Sequence, residues 1–380
     1  MEGKFSAFER EELCNFIKST NRFTNGPLVK KFEENWSSWV GTENSVMVNS
    51  GASGNLITSA ILKQANGIGE VIVPAIGWST DISSLIQLGL KPVFVDVNIE
   101  NFSMNDIALE QAITSDTIGV VLIHTLGFNG LSEKIIELCK KNNLFLIEDC
   151  CEAHGAKFRN QRVGSFGDLS VFSFYYGHHI TTIEGGMVCS KSAKFNELAK
   201  MFRSHGMVRE AEEKTQKTFK TDFPDLNPLF TFAVPGFNLR STEINAFLGL
   251  QQLSKIDSII DIRTNNLIFW LESLDSSLYF TEFNIEGSSN FALPLLLREG
   301  DKKLFFKITE CLKKNKVEFR VGTAGGGNLA KQPFVLENNH RVSGELINAN
   351  KIHTFGLYIG NHENVTPSQI KLISEVLNDL

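Results

Sequence analysis

Leu144-Phe145-Leu146-Ile147-Glu148-Asp149-Cys150-Cys151-Glu152-Ala153-His154-Gly155 is a short apolar run that ends in a cluster of carboxylates and thiols. An uninterrupted apolar run of this length reads as a strand covered on both faces, the form that strands take in a parallel sheet. Its carboxylates fall at the C-terminal end, where open α/β sheets bind their ligands. Working outward, residues 45–48, 70–73, 92–95 and 119–123 have the same character. Between them lie amphipathic stretches such as 131–142, apolar at 131, 135, 136 and 138. This alternation predicts an α/β fold with a mostly parallel sheet.

After Pro235 the rhythm changes. Residues 243–256 and 259–274 read as long helices, 291–297 as a strand, and the stretch from Pro367 as a closing helix. A chain of 380 residues exceeds what one small core serves. The expected division is a large α/β domain over residues 1–245, then bridging helices and a smaller C-terminal α/β domain over 246–380. The polar stretch 209–224, with five lysines and glutamates in 210–217, is a candidate mobile loop or, equally, a solvated surface excursion.

Composition narrows the function classes. With 42% hydrophobic and 21% charged residues, the chain reads as an ordinary soluble protein. A net charge of -6 argues against nucleic acid as a partner. No apolar run is long enough to span a bilayer and the acidic opening is no signal peptide, so a cytoplasmic protein without a membrane partner is expected. Six cysteines without Cys-x-x-Cys spacing read as reduced thiols, with Cys150 and Cys151 as small buried hydrophobes. The 30 phenylalanines point to an aromatic core.

Several segments carry candidate chemistry. Asn49-Ser50-Gly51-Ala52-Ser53-Gly54-Asn55 lies between a strand and a helix. Amides at such a helix start favour a phosphate, although small residues are also common in plain turns. Trp78 follows a strand and can stack on a flat ring or pack an interface. Ser173-Phe174-Tyr175-Tyr176-Gly177-His178-His179-Ile180-Thr181-Thr182-Ile183-Glu184-Gly185-Gly186 holds two adjacent histidines, groups that move protons near neutral pH. Asn238 precedes a helix and reads as a phosphate contact or a helix cap. His154 reads as packed, and Glu148 as structural or capping. A zinc site from His154, His178, His179 and His205 lacks metal-type spacing, so no metal is expected. Gly325-Gly326-Gly327-Asn328 is either a plain turn or a place where a sugar diphosphate approaches.

In this order and spacing, from about Phe23 to the C-terminus, these segments resemble the fold-type I family of nucleotide-sugar aminotransferases and dehydratases (DegT/StrS type), which use pyridoxal phosphate (PLP). Residues 173–186 are similar to that family's cofactor-lysine segment, Ser-Phe-x-x-x-Lys-Asn-Ile-Thr-x-x-Glu-Gly-Gly. Here His178 stands at the lysine and His179 at the asparagine. The replacement keeps a base and removes the covalent tether. It is similar to the 3-dehydratases of nucleotide-linked 4-keto-6-deoxyhexoses, a likeness to which His205-Gly206 and Gly360-Asn361-His362 add. Relatives with an iron–sulfur centre carry a cysteine cluster just after the region of His205. This chain has no cysteine between Cys189 and Cys311, so the resemblance is to the cluster-free branch.

The resemblance implies non-covalent PLP and its amine form (PMP), glutamate as amino donor, a nucleotide-diphosphate sugar as substrate, and a homodimer. It implies Gly51, Ala52, Ser53, Ser173 and, from a neighbouring subunit, Asn238 as cofactor contacts. Trp78 would stack on the ring, Asp149 would hold its nitrogen protonated, and Glu152 would meet its hydroxyl or a substrate group. His178 would be the base and His179 an orienting group, with His205, Arg209, Arg320 and His362 toward substrate. Two alternatives stand beside it: an aminotransferase that dispenses with its lysine, and a degenerate PLP-binding protein.

Overall fold

The computed structural model describes residues 5–322 and 325–380. The chain forms two units, one from the residues up to Gly67 with Gly164–Ile256, the other from Ile68–Val163 with Asp257–Leu380.

In the first unit, strand Asn44–Val48 runs antiparallel to Gly186–Ser190, with Val46 opposite Val188. Gly186–Ser190 in turn runs antiparallel to Leu169–Ser173. Every residue of the latter two strands is buried. Helix Pro27–Val40 starts on a proline and stops at Gly41, whose φ of 88° is a left-handed helix end that glycine adopts without strain. Val29, Phe32, Trp36 and Val40 share its buried face. The Trp36 ring meets Phe172 at 5.1 Å and Phe174 at 4.8 Å, edge to face, and Phe32 lies 5.2 Å from Phe174. The phenylalanine-rich composition thus becomes an aromatic core. Phe174, the first residue beyond its strand, roots the segment that carries His178 and His179 in that core.

In the second unit, five parallel strands lie in the order Phe145–Asp149, Thr117–Ile123, Glu70–Pro74, Lys91–Val95, Arg341–Val342. The apolar runs therefore form the strands that their composition predicted. Helix Glu133–Lys141 starts after Ser132, whose side chain accepts the Ile135 amide, two residues later than apolar periodicity suggests. A second sheet sets Gly356–Gly360 between Ala292–Leu296 and Phe319–Val321, all antiparallel. Trp270, on helix Ile256–Ser273, is fully buried and donates its indole N–H to the Pro294 carbonyl at 2.8 Å.

Two expectations need correction. The stretch 209–224 contains a helix, Glu213–Asp222, with no buried residue. An i,i+4 pair, Lys217 to Glu213 at 2.6 Å, supports such a solvated helix without an apolar stripe. The helix expected over 243–256 ends at Leu253, and the next one begins at Ile256.

Glu70 ties the short Arg341–Val342 strand to its neighbours. Its buried carboxylate receives Arg341 at 2.6 and 3.1 Å, Lys91 at 3.0 Å and Thr114 Oγ1 at 3.1 Å. Arg341 is the main cause that holds its pKa down to about 2, against the opposing effect of burial. A depressed carboxyl stabilises above the unfolded value of ~4.3, and that contribution is lost as pH falls through the folded value. Glu70→Gln should therefore cost roughly 2–3 kcal/mol at neutral pH by this linkage. It should also flatten the acid limb between about pH 4 and 2 in urea unfolding followed against pH. An unchanged acid limb would show that Glu70 is not the group responsible.

Candidate active site

The residues singled out in the sequence divide between the two units. In the first, helix Gly51–Asn66 is capped by Ser50, whose Oγ accepts the Ser53 amide at 3.1 Å. Ser53 Oγ donates to Asn49 Oδ1 at 2.5 Å. A helix start leaves its first amides without helical acceptors, so Gly51 and Ala52 present N–H groups and a positive dipole end. The glycines here are required by close approach. A Cβ on Gly186 would lie 2.5 Å from the Ser50 carbonyl, and one on Gly54 2.6 Å from Val171.

Ser173 is buried at the end of its strand and its Oγ accepts the Tyr175 amide at 3.3 Å. His178 is half-buried and closes a turn through its amide to the Tyr175 carbonyl at 3.0 Å. His179 is fully buried. No lysine occurs between Gly164 and Ser190. The segment is pinned by Asn245 Nδ2, which donates to the carbonyls of Thr182 at 2.7 Å and Glu184 at 3.0 Å. His205 and Asn238 are both exposed and adjacent, with Ser204 bridging Asn238 and the His205 amide donating to Phe237. Asn238 caps no helix, because Thr242 caps Glu243–Leu253. The Arg209 guanidinium lies 5.8 Å from the centre of the Phe230 ring.

In the second unit the carboxylates converge. Asp149 is 5% exposed and its Oδ1 accepts the Cys151 amide at 2.9 Å. Asp81 is 2% exposed, hydrogen-bonds Asp149, and accepts the Trp78 amide on Oδ2 at 2.9 Å. Burial first, then the charge of Asp149, hold the Asp81 carboxyl well above the usual range, so it carries the shared proton. The Trp78 side of this arrangement is open, with the residue 54% exposed.

Glu152 accepts the Leu126 amide at 2.7 Å. Burial raises its pKa to about 7, the Leu126 amide opposing and the charge of Asp149 adding. Tyr358 shares these surroundings. Burial, then the charge of Glu152, push its hydroxyl up, and Arg320 acts against both. Arg320 is exposed and sits opposite Tyr358 in the strand register.

The remaining groups have structural partners. Glu148 faces His124 at 3.2 Å, both fully buried. The Gly130 amide donates to His124 Nδ1 at 3.0 Å, which leaves the ring proton on Nε2, toward Glu148. Cys150 is buried, and Cys151 is half-buried with its thiol pushed well up, chiefly by burial. His154 is fully buried, and its carbonyl accepts Ser289 Oγ at 2.6 Å. His362 lies 3.3 Å from Glu363, which also faces Arg263 at 3.8 Å. Gly325–Asn328 is anchored: the Gly325 amide donates to the Gly77 carbonyl at 2.8 Å, and Asn328 is buried. Sequence reasoning missed Asp81 and Tyr358. The only trace of Asp81 is a carboxylate three residues beyond a helix cap.

The model of the DegT/DnrJ/EryC1/StrS aminotransferase family matches residues 6–378. The chain belongs to that family. It is 31% identical over 382 residues to the GDP-4-keto-6-deoxy-D-mannose 3-dehydratase of Yersinia pseudotuberculosis, covering 98% of this chain and 96% of that protein. The E. coli GDP-4-keto-6-deoxy-D-mannose 3-dehydratase, solved with hydrated PLP, matches with a TM-score of 0.92 at 29% identity, over 99% of this chain and 98% of its own. A GDP-4-keto-6-deoxymannose 3-dehydratase with a trapped PLP–glutamate geminal diamine gives 0.87 at 28% identity, over 98% of both. The fold is that of PLP fold-type I enzymes, as the resemblance implied, with the α/β architecture that the strand rhythm predicted.

Glu152 supplies a test within this unit. Because its folded pKa is raised, the folded state holds a proton that the unfolded chain releases above ~4.3. Stability should fall as pH climbs from there to about 7 and level off beyond. Glu152→Gln keeps an acceptor for Leu126 but does not titrate, so its unfolding midpoint should lose this descent in circular dichroism. A variant that descends like its parent would refute the assignment.

Proposed function

We propose that this protein is a PLP/PMP-dependent 3-dehydratase that removes the C3 hydroxyl of a nucleotide-linked 4-keto-6-deoxyhexose in deoxysugar (O-antigen-type) biosynthesis, with glutamate as amino donor. The observation that carries the reading is His178 at the lysine position of a segment that keeps the motif's Ser173, Phe174, Ile180, Thr181, Glu184, Gly185 and Gly186. The relatives named above act on GDP-4-keto-6-deoxymannose by name, which makes that sugar the first substrate to try.

The residues fit the cofactor. A helix start with glycine-enforced close approach suits a phosphate dianion. An exposed indole suits a planar ring, and a buried carboxylate suits a cationic ring nitrogen. Bound PLP or PMP supplies an electron sink and an amine. With the cofactor bound, Gly51, Ala52, Ser53 and Ser173 would hold the phosphate, Trp78 would stack, Asp149 would keep the ring nitrogen protonated, and Glu152 would take the ring hydroxyl. The His178 imidazole would be the base that accepts a proton in the elimination, and His179 would orient its neighbours. Asn238 and His205, exposed side by side, serve a partner subunit in a homodimer, and His205, Arg209, Arg320 and His362 are the candidate substrate contacts.

A cytoplasmic setting accords with six free cysteines. Among the described residues no helix is long and apolar enough to cross a membrane.

Incubation with PLP, glutamate and GDP-, CDP- or dTDP-linked 4-keto-6-deoxyhexoses, followed by mass spectrometry, tests the reaction. A deoxygenated sugar with release of ammonia is expected. An aminated sugar would make the protein an aminotransferase, and no turnover would make it degenerate. Borohydride treatment of the holoprotein should fix no cofactor–lysine peptide. His178→Asn should keep PMP binding yet lose ~10²–10⁴ in deoxygenation rate, while His179→Asn retains much of it. The reverse pattern in single-turnover assays would move the base by one residue.

A further inference from the structure

We propose that Asp81 is a positioning residue for the cofactor ring, its one carboxyl tying the backbone of Trp78 to the carboxylate of Asp149. The inference rests on the PLP-dependent reading above. Trp78 and Asp81 are locked together at a helix start: the Trp78 amide donates to Asp81 Oδ2 at 2.9 Å, and the Asp81 amide donates to the Trp78 carbonyl at 3.2 Å. The carboxyl has little room to turn. It is buried beside Gly77, where an added Cβ would sit 3.3 Å from Oδ2 and run into Ile123.

Its other engagement is the hydrogen bond to Asp149. Two carboxyl groups hydrogen-bond only when one of them brings a proton. Asp81 brings it, because burial and the charges of Asp149 and Glu152 all oppose its ionisation. Asp149 then receives two donors, the Asp81 acid and the Cys151 amide. With the proton on Asp81, Asp149 is the member of the pair that presents negative charge to the ring nitrogen. Asp81 therefore sets both the stacking residue and the charge that the ring nitrogen meets. It touches neither ring nor substrate.

The test compares wild type, Asp81→Asn and Asp81→Ala loaded with ring-¹⁵N PLP. Affinity comes from absorbance titration, and the protonation state of the ring nitrogen from its ¹⁵N shift across neutral pH. Asparagine offers an amide donor to Asp149 and an oxygen acceptor to Trp78, so Asp81→Asn should keep wild-type affinity and a protonated shift. Asp81→Ala should bind about tenfold more weakly, the usual scale for losing an orienting partner. Its ring nitrogen should give up its proton at lower pH. Wild-type affinity and shift in Asp81→Ala would overturn the role. So would an Asp81→Asn variant that loses the protonated shift, and this arm decides alone if the alanine variant fails to fold. A merely structural role would lower the melting temperature without moving the ¹⁵N shift. Wild-type protein that binds no PLP would overturn the functional reading and this role with it, before any variant is compared.

Discussion

A carboxylate taken out of water costs several kcal/mol unless donors replace its hydration. Glu148, Asp149 and Asp81 are withdrawn together, and Glu152 is half-buried. Strand alternation sends Glu148 and Asp149 to opposite faces of their strand, which separates their solutions. Glu148 is met by His124, whose second ring nitrogen is satisfied by the Gly130 amide. Between these two anchors lies the turn Thr125–Gly127, where Leu126 adopts a left-handed φ of 52°. That turn delivers the Leu126 amide to Glu152 at 2.7 Å. The partner of one acid thus positions the donor of another, and Asp81 and Asp149 resolve their own conflict by sharing a proton. Losing His124 or the Leu126 turn would leave a carboxylate of this group short of a donor.

The first unit meets a different constraint, that of backbone proximity. Residues 174–185 are laced by main-chain bonds, Phe174 to Gly185 at 2.8 Å and Thr182 to Phe174 at 3.0 Å, with Thr181 Oγ1 also donating to Phe174 at 3.0 Å. The turn at position 178 is closed by a backbone amide that any residue but proline would supply. Exchanging lysine for histidine there changes chemistry without asking the fold to change.

The parallel strands were legible because they are buried on both faces and so read as unbroken apolar runs. Leu169–Ser173 was not recognised as a strand because two serines interrupt it. Ser170 is nevertheless fully buried, its hydroxyl donating to the Gly164 carbonyl at 2.7 Å. Helix Glu213–Asp222 left no periodic signal because it buries nothing. Candidate site residues next to a turn or strand end, such as Asp149 and Trp78, could be named from local chemistry, whereas the role given to His178 came from the resemblance. The partnership of Asp81 with Asp149 could not, since it joins residues from distant parts of the chain and exists only once the second unit has packed. Asn238 was given a possible capping role that Thr242, four residues on, fills.

On the proposed reading nothing covalent anchors the cofactor, so its orientation depends on the stiffness of the groups around it. Those groups are stiff for stated reasons. Trp78 is held through its backbone by Asp81, and Gly77 before it leaves no space for a side chain against Ile123. Gly51 to Ser53 are fixed by the Ser50 cap and by Gly186 pressed against it. A lysine at 178 would bring a tether, and the ring could then be held with less support. A histidine brings a base whose charge switches near neutral pH and leaves the ring to be held by stacking, one buried ion pair and a helix start. The buried acids of the second unit therefore carry the positioning that, in a lysine enzyme, a covalent bond would share.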